Sequence, residues 1–179
     1  MLDVGAGAGR HTLEAQARGL EVVAVDISPG AVDVCRLRGV RDVRLLSLDE
    51  VGPDLGTFDT VLMMCGNLGL AGSAKRTQAL LSRLQGMTSE RGRVVFDSVD
   101  PHVGGDEADA AYEARNRERG RMPGEVTIRI RYRERTTPWF DLLCVSPAEL
   151  RALLPGTGWR LACVMPGEPP DWYGVLEKD

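Results

Sequence analysis

Near its start the chain carries Leu2-Asp3-Val4-Gly5-Ala6-Gly7-Ala8-Gly9-Arg10, an apolar run that breaks into three alternating glycines. It reads as the end of a buried strand, a tight turn, and the first turn of a helix. Glycines at 5, 7 and 9 let the backbone turn sharply, approach a ligand closely and pack helix against strand. Free N–H groups at the helix start favour an anionic group above the turn. Glycine-rich turns also occur without ligands, so the meaning of this one depends on the residues beyond it.

The helix after the turn, Arg10 to Arg18, places Leu13 and Ala17 at helical spacing, and Gly19 is positioned to end it. Val22-Val23-Ala24-Val25 is a continuous, mostly β-branched run of the kind buried on both faces of a parallel sheet, closed by Asp26. Ser28 can cap the next helix, with Pro29 at its first position and Gly39 at its end. A third strand is expected over Val43 to Leu48, followed by Asp49-Glu50, and a fourth over Phe58 to Met64, running into Cys65-Gly66-Asn67-Leu68-Gly69. Ser73 opens a helix with Leu80, Leu81, Leu84 and Met87 on one face. Val94-Val95-Phe96 is the fifth strand and ends in Asp97-Ser98-Val99-Asp100.

Strands alternating with helices call for an α/β fold: a doubly wound, mostly parallel sheet with helices on both faces. Ligands then bind beyond the carboxyl ends of the strands. From Pro101 the pattern changes. Residues 101–121 read as a polar insertion, helical through Ala108 to Arg119, and residues 125–145 as an added antiparallel hairpin. In the hairpin, Val126, Ile128, Ile130 and Tyr132 alternate with Thr127, Arg129, Arg131 and Arg133, with Trp139 to Val145 as the partner strand. Ser146-Pro147-Ala148-Glu149 is a capping box that opens a helix with Leu150, Leu153 and Leu154 inward. Trp159 to Met165 and Trp172 to Leu176 form a closing antiparallel hairpin.

At 179 residues, 43% of them hydrophobic, the chain suits one domain with a substantial core. A formal charge of −4 argues against a general nucleic-acid binder, and no apolar run approaches a membrane span. Cys35, Cys65, Cys144 and Cys163 lie far apart without metal-ligand spacing, as expected of reduced thiols in a cytoplasmic protein that binds no metal. Met1 falls inside what should be the central strand, although buried strands usually run to about five or six residues, so a segment is expected to be missing upstream.

Three contacts converge at one end of the expected sheet: the glycine turn, Asp26, and the loop after the fourth strand. A carboxylate at the end of strand two can accept two hydrogen bonds from a ribose diol, or it can serve as a turn and cap acid. Set at this offset from the glycine turn, Asp26 points to a nucleoside-containing ligand.

Here the chain resembles the class I S-adenosylmethionine-dependent methyltransferases. Asp3-Val4-Gly5-Ala6-Gly7-Ala8-Gly9-Arg10 resembles their first motif, Val25-Asp26-Ile27-Ser28-Pro29 their second, and Phe58-Asp59-Thr60-Val61-Leu62 the strand leading to the fourth. Arg91-Gly92-Arg93-Val94-Val95-Phe96 resembles the turn into the fifth strand and the strand itself. The resemblance covers the chain except for the insertion. It implies a Rossmann-like, seven-stranded methyltransferase domain over residues 1–179, with S-adenosylmethionine as cofactor.

It also implies roles. Gly5 and Gly7 would cradle the methionine part of the cofactor, with Asp3 near its ammonium. Asp26 would hold the ribose, Ile27 would pack on the adenine, and Leu48 and Asp49 would contact the adenine from the third strand. Cys65 and Asn67 would line the wall nearest the sulfonium. Methyl transfer from a sulfonium needs geometry more than acid–base help, and a base only where the acceptor carries a proton. Candidates are Asp97, Asp100, His102 and His11, the last three read more simply as a loop acid, a solvated histidine and a packing or surface residue.

Glu113 to Arg135 holds eight arginines against four glutamates, a local +4 that leaves −8 elsewhere. A solvated strand face and helix explain this; alternatively the arginines attract an anionic substrate to the site. The expected function is methyl transfer to a small-molecule acceptor. Cys65-Gly66-Asn67-Leu68 lacks the Asp/Asn-Pro-Pro-aromatic turn of the family's nucleic-acid amino-methylating members. A cofactor-binding module without turnover is the main alternative. An NAD-dependent oxidoreductase is the other, although its usual Gly-x-Gly-x-x-Gly fingerprint differs from these glycines.

Overall fold

The short apolar run at the start of the chain becomes the middle of a seven-stranded sheet in a computed structural model that describes residues 1–179. Strand β1 (Leu2–Val4) is buried along its whole length because both neighbours pair with it in parallel. After α1 (Arg10–Ala17), β2 (Val23–Asp26) lies on one side of β1 with Leu2 opposite Val23. Helix α2 (Pro29–Leu37) and β3 (Asp42–Leu45) continue outward. The chain then crosses back, placing β4 (Phe58–Met63) on the other side of β1 with Val61 opposite Leu2. This reversal opens a crevice at the carboxyl ends of β1 and β4, the place where open α/β sheets bind ligands.

Helix α3 (Ala74–Gly86) and β5 (Thr88–Val99) follow, then α4 (Glu107–Glu118), the short strands β6 (Glu125–Ile128), β7 (Arg131–Tyr132), β8 (Arg135–Thr136) and β9 (Phe140–Leu143), and α5 (Pro147–Leu153). Strands β10 (Trp159–Pro166) and β11 (Asp171–Lys178) close the chain. The sheet order is β10-β11-β5-β4-β1-β2-β3, with β11 antiparallel to both β5 and β10. The Rossmann-like, mostly parallel sheet with its reversed C-terminal hairpin is therefore present as expected.

The main core fills the face under α3 and α5, where Met63, Leu81, Leu84, Phe96 and Trp159 are fully buried. The indole N–H of Trp159 donates to the Leu81 carbonyl at 2.8 Å and that of Trp172 to Val145 at 2.8 Å, so both rings are buried without an orphaned donor. A smaller cluster of Ala6, Ala24, Cys35 and Val40 lies on the other face. No helix is long and apolar enough to cross a membrane.

Three local expectations are corrected. Helix α1 turns Thr12 and Ala15 inward, while Ala17 is exposed and Leu13 only partly covered. Thr12 is drawn inside by a hydrogen bond to buried Asp3. The third strand stops at Leu45 rather than Leu48, because Ser47 and Glu50 form a capping box that turns Leu48–Glu50 into a 3-10 turn. The alternation over Val126 to Tyr132 pairs continuously only as far as Ile128, opposite Phe140. Beyond it β7 and β8 form a separate tip.

The inserted segment is tied to the body by buried polar groups. Asn116 donates to the carbonyls of Pro123 and Glu125 at 2.9 and 2.8 Å. Glu125, 7% exposed, accepts from the Ala74 amide at the start of α3 and pairs with Arg121 at 2.8 Å. Strand β9 thereby lies against the turn that follows β4; a Cβ on Gly69 would run into the Leu143 carbonyl.

Candidate functional site

The glycine turn is built by left-handed backbone at Gly5, Gly7 and Gly9, with φ of 75°, 57° and 77°. The Gly5 and Ala6 amides both donate to the Val25 carbonyl, at 2.8 and 3.1 Å, which locks the turn onto the end of β2. Each glycine has a separate reason. A Cβ on Gly9 would lie 2.8 Å from Val40 Cγ2, so this glycine admits the packing beside α2. A Cβ on Gly5 would collide with the Asn67 amide. A Cβ on Gly7 would meet nothing within 4 Å, which marks the open side of the turn.

Asp26 stands beside that open side. Its Oδ2 accepts from the Gly7 amide at 2.8 Å and its Oδ1 from the Ser28 amide at 2.8 Å, so one carboxylate fixes both the turn and the start of α2. The turn-acid role is thus realised, and each oxygen keeps a lone pair for a further donor. Ile27 next to it is 71% exposed. Asp3, 2% exposed, accepts from Thr12 Oγ1 at 2.6 Å. Burial pushes its carboxyl above the usual carboxylate range, partly offset by Thr12 and by the nearby His11.

The turn after β4 is the second wall. Cys65 and Gly66 are both left-handed, with φ of 64° and 74°, a conformation that costs a non-glycine residue about 1–2 kcal/mol. Asp97 at the end of β5 holds this turn, its Oδ2 accepting from the Gly66 amide at 3.0 Å. Asp97 Oδ1 is buried with no hydrogen-bond partner. Asn67 then reaches across the crevice, its Nδ2 donating to the carbonyls of Val4 and Gly5 at 2.8 and 3.0 Å. Sequence reasoning placed Asn67 in the wall but not this bridge, which needs the crossover between β1 and β4. It likewise missed Thr12 as the partner of Asp3.

The remaining candidates sit elsewhere. Leu48 packs on the main core, and Asp49 is held by Arg76 of α3 at 3.1 and 3.2 Å, turned toward that helix. Asp100 Oδ1 accepts from the His102 amide at 3.0 Å. His102 is exposed, as a solvated histidine would be, but it is also paired: Nδ1 faces Glu113 at 3.2 Å and Nε2 faces Glu149 at 3.1 Å. Burial works against its charge, but the two glutamates outweigh it and raise the imidazole above its usual 6.5. It pins α4 to the start of α5. His11 lies beside Arg10, 3.2 Å away.

A concavity of about 710 Å³ lies at the opposite, amino end of the sheet among Met1, Leu20, Phe58 and Asp59, and none of the candidate residues above lines it. What gathers at the carboxyl end is an open glycine turn with Asp26 beside it, Asp3 buried beneath it and Asp97 behind the facing wall. Such a set of carboxylates favours cations over phosphates.

A family model described as a methyltransferase domain matches residues 1–92, just over half of the chain. Over 115 residues the chain is 34% identical to the tRNA U34 carboxymethyltransferase of Psychromonas ingrahamii, covering 60% of this chain and 33% of that protein. Over 68 residues it is 41% identical to the magnesium-protoporphyrin O-methyltransferase of Rhodobacter capsulatus, covering 36% and 30%. The chain thus spans about a third of the length of these curated relatives. Its fold superposes on a SAM-dependent methyltransferase from Bacteroides fragilis, solved with S-adenosyl-L-homocysteine, with a TM-score of 0.79 and 31% identity, over 99% of this chain and 71% of that one. With the motif order, the strand order and the family match in agreement, the chain belongs to the methyltransferase-domain family of class I S-adenosylmethionine-dependent methyltransferases.

Proposed function

We propose that this chain binds S-adenosylmethionine at the glycine turn and transfers its methyl group to a small-molecule acceptor presented at the ends of β4 and β5. The observation that carries this reading is an open glycine turn with Asp26 beside it, backed by the carboxylates of Asp3 beneath and Asp97 behind the facing wall. A zwitterionic tail and a sulfonium suit that field; the pyrophosphate of a nicotinamide cofactor opposes it. These carboxylates also favour a neutral or cationic acceptor over the anionic one that the arginine count suggests. Arg129, Arg131, Arg133 and Arg135 make no hydrogen bond to the turn or to its walls.

When bound, S-adenosylmethionine supplies an activated methyl group that moves by in-line displacement. The protein's part is to fix geometry and shape the field. Gly5 and Gly7 let the tail lie close to the backbone, with Asp3 beneath. Asp26 offers its free lone pairs to the ribose diol. Ile27 covers one face of the adenine; Leu48, packed on the main core, and Asp49, committed to Arg76, are left out. Cys65 and Asn67 form the wall beside the reacting centre. Asp97 supports this wall from behind through its bond to the Gly66 amide.

The test is release of S-adenosylhomocysteine from S-adenosylmethionine across a panel of amine, hydroxyl, thiol and carboxylate acceptors. Turnover with one class, abolished or weakened at least about tenfold in Asp26→Ala, supports the reading. Cofactor binding without release on any acceptor overturns catalysis, and absence of binding overturns the whole reading.

A further inference from the structure

Residues 129–139 project from the body, and every side chain from Arg129 to Trp139 is exposed. Ile130, Tyr132 and Trp139 are 59%, 67% and 62% exposed, far more than large apolar residues need be in a hairpin that packs on its own domain. The segment carries four arginines and one glutamate, a charge of +3 against −7 for the rest of the chain. None of the four arginines forms an ion pair. Two lie over rings instead: Arg129 is 4.7 Å from the centroid of Trp139, and Arg133 is 5.2 Å from that of Tyr132.

This arrangement selects among polyanionic partners. A lipid interface takes up an apolar face free of charge, but here each ring is covered by a guanidinium, and the register puts Arg135 opposite Tyr132. An acidic peptide would satisfy the arginines and leave the rings unused. A nucleotide chain uses both, with phosphates on the guanidinium groups and unpaired bases stacked on the rings and on the guanidinium planes. Stacking needs bases that are not already in a duplex. We propose that the hairpin tip 129–139 is a binding surface for single-stranded nucleic acid, held by Arg129, Arg131, Arg133 and Arg135 and by Tyr132 and Trp139. The inference does not rest on methyl transfer and says nothing about which molecule is methylated.

Fluorescence anisotropy of the intact chain with a labelled mixed-sequence single-stranded RNA of about 20 nucleotides tests it. Binding should weaken with salt, with a log–log slope of about −3 if all four arginines meet phosphates. Arg131→Glu with Arg133→Glu should weaken binding by at least about tenfold and flatten that slope. Tyr132→Ala and Trp139→Ala should each weaken it about tenfold, and the matched duplex should bind less well than the single strand. All four positions are exposed, so circular dichroism should be unchanged. No binding at low salt overturns the proposal. So does loss in the arginine variant with none in either ring variant, which would reduce the surface to bulk polyanion attraction. Binding to anionic phospholipid vesicles that outcompetes RNA and is lost in the ring variants overturns it in favour of a membrane surface.

Discussion

Replacing Gly5 and Gly7 by alanine, one at a time, separates support of the turn from service to a ligand. At Gly5 the new methyl group falls on the Asn67 amide, with Cγ at 2.8 Å, and φ is 75°. The left-handed backbone costs alanine about 1–2 kcal/mol. Asn67 must also move, giving up its bonds to Val4 and Gly5 at a net cost of about 0.5–1.5 kcal/mol each. Gly5→Ala should therefore lose about 2–5 kcal/mol of stability. At Gly7 only the backbone term applies, about 1–2 kcal/mol, because nothing lies within 4 Å of the added methyl. That methyl does occupy the space over the turn where the cofactor tail is proposed to lie. Urea denaturation read by tryptophan fluorescence gives the stabilities, and calorimetric titration with S-adenosylhomocysteine gives the affinities. Gly7→Ala should stay folded and bind at least about tenfold more weakly. Wild-type affinity in folded Gly7→Ala would refute the placement of the tail.

Asp3 has a raised pKa in the folded chain, so its contribution to stability is fully present below the usual 3.8 and is lost as pH rises through the higher folded value. Asp3→Asn should then be more stable than the parent at neutral pH while binding cofactor less well; thermal melts across pH 3 to 8 should show the two curves diverging as pH rises. His102 also has a raised folded pKa, so the clamp is strongest below 6.5 and fades as pH climbs above it. The melting difference between the parent and His102→Gln should shrink from pH 6 to 9; given the exposure of the ring it is worth at most about 1 kcal/mol, and a constant difference would remove the ion-pair explanation. Trp159→Phe should cost about 1–3 kcal/mol, since it removes the indole bond to the Leu81 carbonyl and loses part of a fully packed side chain; a urea midpoint equal to wild type would contradict that.

Much of the architecture is legible where the chain states it locally. Ser28-Pro29 and Ser146-Pro147-Ala148-Glu149 open helices as written, each serine accepting a backbone amide, at 3.3 Å from both Ala31 and Glu149. The glycine turn and Asp26 are legible for the same reason: their offset is set by one strand-helix-strand unit. The end of β3 was readable too, but its signal, Ser47 three residues before Glu50, lies inside an apolar stretch that resembles a longer strand. Other features depend on long-range pairing. Thr12 is buried because Asp3 needs a donor, and His102 is clamped because α4 brings Glu113 and α5 brings Glu149 to it. The Asn67 bridge and the Asp97 anchor exist only once β4 and β5 are seated beside β1. The hairpin beyond Ile128 follows an alternating pattern but has no second layer to bury its apolar side, so its side chains stay exposed.

The central claim is that the acidic glycine turn accepts S-adenosylmethionine. Equilibrium titration of the intact chain with S-adenosylhomocysteine, and in parallel with NAD, tests it most directly. The predicted result is saturable one-to-one binding of S-adenosylhomocysteine, weakened in Asp26→Ala, with no heat from NAD. Tight binding of NAD with none for S-adenosylhomocysteine would contradict it.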